Sequence, residues 1–272
     1  MPVAIITGGG AGMGLAVATA LVADGWRVAL LDVNSSVGET AAASLSSPSC
    51  HFIRADATNY DELRAAFAET AARWGGNIDF VFANAGIAGK VDFYDDVDDI
   101  DDKEKEPQEP SLLVEEVCLR GVVFTSHLAM HYMRRNQPTP GDGTRGVIVS
   151  TASAASIYAS PELPLYTAAK HGVLGLMRAM SVQLAPEGIR VNSILPGAIR
   201  TTLHEQTVWD QFPAGDFTPV NEVVQAVLAL VRDPTATGRA IEISAGETFD
   251  RRQPDYCNDT MQRIMEGKSY KA

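Results

Sequence analysis

Seven short, unbroken apolar runs, spaced by amphipathic stretches, limit what this chain can fold into more than any other feature. The runs cover residues 3–7, 27–32, 50–55, 78–83, 146–150, 190–195 and 239–244. Each is rich in Val and Ile and bounded by Gly, Asp, Asn or Pro, which is the pattern of strands buried on both faces. Between them, apolar residues recur at helical spacing over 14–23, 60–74, 112–133, 165–184 and 221–231. Strand alternating with helix predicts an α/β chain with a parallel sheet of about seven strands and helices on both faces. The runs and their crossovers take up nearly all 272 residues, so a single domain over 1–272 with no internal repeat is expected.

Two segments break the alternation. Residues 92–109 hold ten acidic residues and two lysines, a net of −8 out of −12 for the whole chain. This acidic insertion, 92–110, reads as a solvated excursion or a lid, and so does the C-terminal extension 249–272, with a short helix expected near 259–266. The negative balance disfavours nucleic acid and anionic membrane as partners. Cys50, Cys118 and Cys257 are too few and too scattered for a disulfide framework or a zinc site, so no metal is expected. No basic leader precedes the first strand and no apolar stretch is long enough for a membrane span, which predicts a cytoplasmic setting.

The first predicted strand turns into the first helix through Thr7-Gly8-Gly9-Gly10-Ala11-Gly12-Met13-Gly14. Glycines there let the backbone turn tightly and approach a ligand, and a helix N-terminus favours an anionic pyrophosphate. A glycine-rich turn can also be a mere tight connection. What strengthens the ligand reading is Asp32, ending the second strand about twenty positions on. A carboxylate there can accept from both ribose hydroxyls and would repel a 2′-phosphate, and Val33, Asn34 and Ser35 bring no cation to offset that repulsion. The cofactor expected is therefore NAD rather than NADP. Asp56 and Ala57 after the third strand, and Asn84, Ala85 and Gly86 after the fourth, fall at strand ends that converge on the same crevice. Asp56 could bond the adenine amino group, and the 84–86 backbone could run beneath the adenosine.

After the fifth strand come Ser153 and then Tyr166-Thr167-Ala168-Ala169-Lys170. Tyr166 and Lys170 are four apart on a helix and share a face, and both are expected to bind the cofactor as well as to carry the chemistry. A phenol, which ordinarily titrates near about 10, is a poor base at neutral pH. A nearby ammonium and the positive ring of oxidised nicotinamide both favour a phenolate. Tyr166 could then exchange a proton with a substrate hydroxyl while hydride moves to or from the same carbon. Ser153 is placed to orient the substrate oxygen. After the sixth strand, Pro196 and Gly197 stop the strand sharply and are followed by Ile199 and Thr201, the latter suited to the nicotinamide carboxamide, although an ordinary strand-ending turn would read the same way.

These motifs, in this order and at this spacing, resemble the short-chain dehydrogenase/reductase family over most of the chain. The resemblance implies a Rossmann-like doubly wound sheet and hydride transfer with a nicotinamide cofactor. It also implies a homodimer or homotetramer packed through the helices after the fourth and fifth strands. Asp32 and the run 238–249, which lacks the usual Asp-Gly-Gly, are most similar to the 15-hydroxyprostaglandin dehydrogenase-like branch. One departure stands out: where the family has a catalytic Asn in an Asn-Leu-x-Gly pattern, this chain has Cys118-Leu119-Arg120-Gly121. A thiol is a weak hydrogen-bond partner, so the expectation is that another group or a shifted water completes the proton relay, or that turnover is slow.

Residues around the reacting centre supply Ile157, Tyr158, Leu163, Leu203, Val208, Trp209, Phe212 and Phe217, an apolar and aromatic set. The expected substrate is a hydrophobic secondary alcohol or its ketone, in secondary metabolism. Two alternatives stay open: an NADPH-dependent ketoreductase, and a redox-neutral enzyme such as a cyclase, or a regulatory protein, on the same fold.

Overall fold

The computed structural model describes residues 1–45, 48–88, 93–94, 109–201 and 206–267. Its sheet has eight strands: β1 (Val3–Thr7), β2 (Arg27–Asp32), β3 (Cys50–Arg54), β4 (Phe80–Ala83), β5 (Gly146–Thr151), β6 (Ile189–Pro196), β7 (Ala240–Ser244) and β8 (Glu247–Asp250). Their spatial order is β3-β2-β1-β4-β5-β6-β7-β8. Strands β1 to β7 are parallel, as the alternation predicts; β8 is antiparallel to β7, with Glu242 opposite Phe249 and Ser244 opposite Glu247. The eighth strand is the difference from expectation. A two-residue reversal at Ala245 and Gly246, both at positive φ, returns the chain along the sheet edge.

Successive residues of a strand face opposite sides, and the core divides accordingly. Ile5, Val81 and Ile148 pack with Phe67, Met133 and Met177, beneath helices Tyr60–Trp74, Gly121–Met133 and Pro164–Leu184. Ile6, Phe82 and Val149 pack on the other side with Val17, Leu21 and Val227, beneath helices Gly12–Ala23 and Val220–Arg232. Burying each such side chain stabilises the fold by roughly 1.5–3 kcal/mol.

Helix ends follow local chemistry. The Asn59 side chain accepts from the Asp61 and Glu62 N–H groups to start Tyr60–Trp74, and Gly75, at φ 91°, ends it. Buried Arg190 donates to the carbonyls of Leu230, Val231 and Ala236, closing the end of Val220–Arg232 onto β6. The predicted helix over 112–133 is interrupted: Leu113–Glu115 passes into a π-helical turn, Glu116–Arg120, before Gly121–Met133. Helix Ser35–Leu45 is an addition to the sequence reading, and the short C-terminal helix spans Asp259–Met265. Among the described residues, no helix is long and apolar enough to cross a membrane. Apart from Phe93, Tyr94, Glu109 and Pro110, the acidic insertion 92–110 lies outside the described residues.

Candidate active site

The strand order reverses direction between β1 and β4, and a cleft of about 400 Å³ opens at the carboxyl ends there. Asn84, just past β4, knots the surrounding strand ends together. Its amide nitrogen donates to the carbonyls of Thr7 and Gly8, both at 3.2 Å, and its amide oxygen accepts from the Thr151 hydroxyl at 3.0 Å. The Thr7 hydroxyl oxygen in turn accepts from the Asn84 and Ala85 N–H groups. Three strands far apart in sequence are thereby fixed at one point.

Gly8 and Gly12 adopt φ of 63° and 52°, the left-handed region that side chains disfavour. A Cβ on Gly14 would lie 2.2 Å from the Gly8 carbonyl oxygen, so only glycine lets the helix start this close to β1. Helix Gly12–Ala23 begins with no side-chain cap and no acidic residue in its first turn. Its first N–H groups are left for an anion. Asp32 lines the same cleft, its carboxylate oxygens accepting from Gly10 N–H and Asn34 N–H, both at 3.0 Å. This set fits a dinucleotide: a glycine turn with room over it, unpaired helix donors and a carboxylate beyond.

On the catalytic side, Tyr166 and Lys170 both line the cleft from helix Pro164–Leu184. Lys170 is 2% exposed, and its Nζ donates to the Thr151 carbonyl at 2.8 Å and lies 5.5 Å from the centre of the Tyr166 ring. Ser153 caps the 3₁₀ turn Ala154–Ser156, its Oγ accepting from Ala155 N–H at 3.1 Å. Ser156 binds that turn to the helix, accepting from Ser153 N–H and donating to the Lys170 carbonyl at 2.8 Å. Lys170 is thus held by its backbone and by its ammonium.

Cys118 sits fully buried in the π-helical turn. Its Sγ accepts from Ile87 N–H at 3.4 Å and donates to the Ile87 carbonyl at 3.3 Å. The thiol uses both of its weak capacities on one residue of the loop that follows β4. A Cβ on Gly86 would lie 3.5 Å from this sulfur and 3.7 Å from Lys170 Nζ, so the cysteine abuts the floor of the cleft.

Of the residues expected from sequence, the cleft gathers Gly8, Gly12, Met13, Asp32, Asn84, Ala85, Gly86, Tyr166, Lys170 and Thr201. Ser153, Gly14, Asp56, Ala57, Pro196, Gly197 and Ile199 are not among its lining residues. The Asp56 carboxylate accepts from the N–H and hydroxyl of Thr58, capping its own turn. Ala57 packs against Gly121, Gly197 N–H donates to the Ile243 carbonyl, and Ile199 is core. Sequence reading missed Thr7, Thr151 and Ser156, whose importance comes from hydrogen bonds to distant residues. Thr7 does open the glycine motif, a signal that could have found it.

The expected substrate lining is also rearranged. Trp209, Phe212 and Phe217 pack on one another, with ring centres 5.8–6.0 Å apart. The Tyr158 hydroxyl lies 3.4 Å from Glu242 Oε2 and accepts from Arg251 at 3.0 Å, bracing the loop against the C-terminal segment. Leu203 and the Val208 side chain fall outside the described residues. Among the described residues, no cluster of three His, Cys, Asp or Glu side chains could hold a metal ion.

Fold and cleft together define a doubly wound α/β protein with its ligand crevice at the topological switch point. Residues 2–212 match the family model described as short chain dehydrogenase. The chain is 38% identical over 274 residues to the short-chain dehydrogenase/reductase prx7 of Penicillium rubens, covering 93% of this chain and 95% of that protein. It is 31% identical over 263 residues to a 2,5-dichloro-2,5-cyclohexadiene-1,4-diol dehydrogenase of Sphingobium indicum, covering 90% and 96%. Among solved structures, levodione reductase superposes with a TM-score of 0.75 at 28% identity, over 90% of this chain and 96% of that one. The chain belongs to the short-chain dehydrogenase family. It is an oxidoreductase acting on CH–OH groups, in a family that uses nicotinamide cofactors.

Proposed function

We propose that this enzyme interconverts a hydrophobic secondary alcohol and its ketone with NAD as cofactor, using Ser153, Tyr166 and Lys170. The observation that carries the proposal is the buried Lys170 ammonium beside the Tyr166 ring, in a cleft shared with Gly8, Gly12, Asp32 and Thr201. The nicotinamide, when bound, accepts or supplies the hydride. Gly8, Gly12, Met13 and Gly14 would form the turn under the pyrophosphate and Asp32 would receive the adenosine ribose, with Asp56 and Ala57 beyond the cleft lining at the adenine end. Asn84, Ala85 and Gly86 would form the floor and Thr201 the wall at the carboxamide end, with Pro196, Gly197 and Ile199 supporting that wall from behind the cleft lining. Tyr166 takes the proton from the substrate hydroxyl in the oxidative direction and returns it in the reductive one. Ser153 hydrogen-bonds the substrate oxygen, and Lys170 holds its side-chain nitrogen 5.5 Å from the centre of the Tyr166 ring.

The preference for NAD rests on charge. Among the described residues lining the cleft there is no arginine and the lysine is Lys170, and Arg54, across from Asp32 on β3, is paired with Glu62, so the lining itself offers no cation for a 2′-phosphate. The relative whose name specifies a cyclohexadiene diol supports a ring-borne secondary alcohol. The placement near the 15-hydroxyprostaglandin dehydrogenase-like branch rests on Asp32 and the run 238–249. A homodimer or homotetramer in the cytoplasm completes the proposal. An exposed apolar groove at Leu112, Leu119 and Val123, beside the helix after β4, supports the assembly. Absorbance at 340 nm with NAD or NADP against a panel of apolar cyclic alcohols tests the reading. NAD-linked turnover that vanishes in Tyr166→Phe is expected; no turnover across the panel, or turnover indifferent to that change, would overturn it.

A further inference from the structure

Ala198, Arg200 and Thr201, on the segment that leaves β6, are each tied to the aromatic segment that follows. Thr218 N–H donates to the Ala198 carbonyl at 2.8 Å, and the Arg200 guanidinium lies 4.6 Å over the Phe217 ring. The Trp209 indole N–H donates to the Thr201 carbonyl at 2.8 Å. Trp209 is 5% exposed, and its ring packs against both Phe212 and Phe217 at 5.9 and 5.8 Å. None of these three rings lines the cleft, but Thr201 does. The Thr201 side chain also abuts the glycine turn: a Cβ on Gly12 would lie 3.3 Å from its Cγ2. The aromatic trio therefore acts on the cleft through Thr201.

We infer that Trp209 is a positioning residue that fixes Thr201 over the glycine turn for the nicotinamide half of the dinucleotide. The inference rests on the NAD reading and adds to it a residue outside the cleft. An indole held by two other rings cannot swing freely, so its N–H fixes the height of the Thr201 carbonyl, and with it the hydroxyl on the same residue. ADP-ribose reaches the glycine turn beside Thr201 but carries no carboxamide for the Thr201 hydroxyl to meet, so its binding should depend little on that height.

Binding of NADH and of ADP-ribose, which lacks the nicotinamide, separates the possibilities. Trp209→Phe keeps a ring in the trio and removes the donor. It is expected to weaken NADH roughly threefold to tenfold, the range of one lost hydrogen bond, while leaving ADP-ribose within a factor of about two. Equal weakening of both ligands, or of neither, overturns the inference, the first pointing to a general structural role. Should that variant fail to fold, the unaltered protein decides. It has three tryptophans, so its indole N–H signals can be assigned through Trp26→Phe and Trp74→Phe. NADH should displace the Trp209 signal and ADP-ribose should not; a Trp209 signal that stays in place under saturating NADH overturns the inference. A wild-type protein that binds neither ligand would overturn the dinucleotide reading itself.

Discussion

The two sides of the cleft are built differently. Around the glycine turn, the main chain sets most of the geometry, with two glycines at positive φ and a third where no Cβ fits, and one side-chain amide, that of Asn84, ties the turn to Thr151. Beyond β6, side chains hold one another: the Trp209 trio braces Thr201, and Arg251 and Glu242 brace Tyr158. A site that must grip an invariant cofactor is set largely by the main chain, whereas the segment that braces it is set by replaceable side chains.

The sharpest way to break this contrast is Tyr166→Phe. Turnover should fall by about 10²–10⁴-fold, the usual weight of a general acid–base group, with NADH binding unchanged. A parallel loss of NADH binding in a titration would show that the two sides are not separable. Next in size, Asp32→Ala should cut the preference for NAD over NADP by roughly tenfold to a hundredfold, since a like charge facing a phosphate costs several kcal/mol. Steady-state kinetics with both cofactors measure it, and an unchanged ratio would mean that the carboxylate does not face the ribose.

Stability offers a smaller but direct comparison. Asn84→Ala removes a hub serving three strand ends and should cost about 1–3 kcal/mol, through the donors and acceptors left unpaired. Phe212→Ala, at a ring 43% exposed, should cost less than half of that in the same denaturant titration. A reversed order would contradict the idea that the main-chain side is the rigid one. The smallest effect expected is at Cys118. Because its thiol already bonds both polar groups of Ile87, Cys118→Asn should not raise turnover, and Cys118→Ala should lower it by less than about tenfold. A clear gain with asparagine would show instead that the thiol leaves the proton relay incomplete.

What the sequence disclosed follows the same division. Strands β1, β2 and β4 to β6 are legible because burial on both faces demands a continuous apolar run, whereas β3 is a half-buried edge strand. β8 escapes notice because Glu247-Thr248-Phe249-Asp250 lies exposed at the sheet edge, where nothing demands apolar residues. Helix Ser35–Leu45 carries Gly38 in its middle, a breaker by propensity, yet a Cβ there would lie 2.0 Å from the Phe52 ring, so packing overrides propensity. In the cleft, Gly8, Gly12 and Asp32 announce themselves by spacing. The amide of Asn84 and the indole of Trp209 act through partners that only the folded chain brings near. An apolar, aromatic stretch reads as a substrate wall until its rings are seen to face one another.

The Asn84 knot also bears on how the protein comes into being. Its partners begin at Thr7 and end at Thr151, and the cleft is completed only by Lys170 and Thr201. A chain emerging from the ribosome can form β1 and β2 early, but contacts between such distant residues form late. A cleft lined by residues from Gly8 to Thr201 is complete only once residue 201 has left the exit tunnel, so a ligand that fills the whole of it arrives late in synthesis.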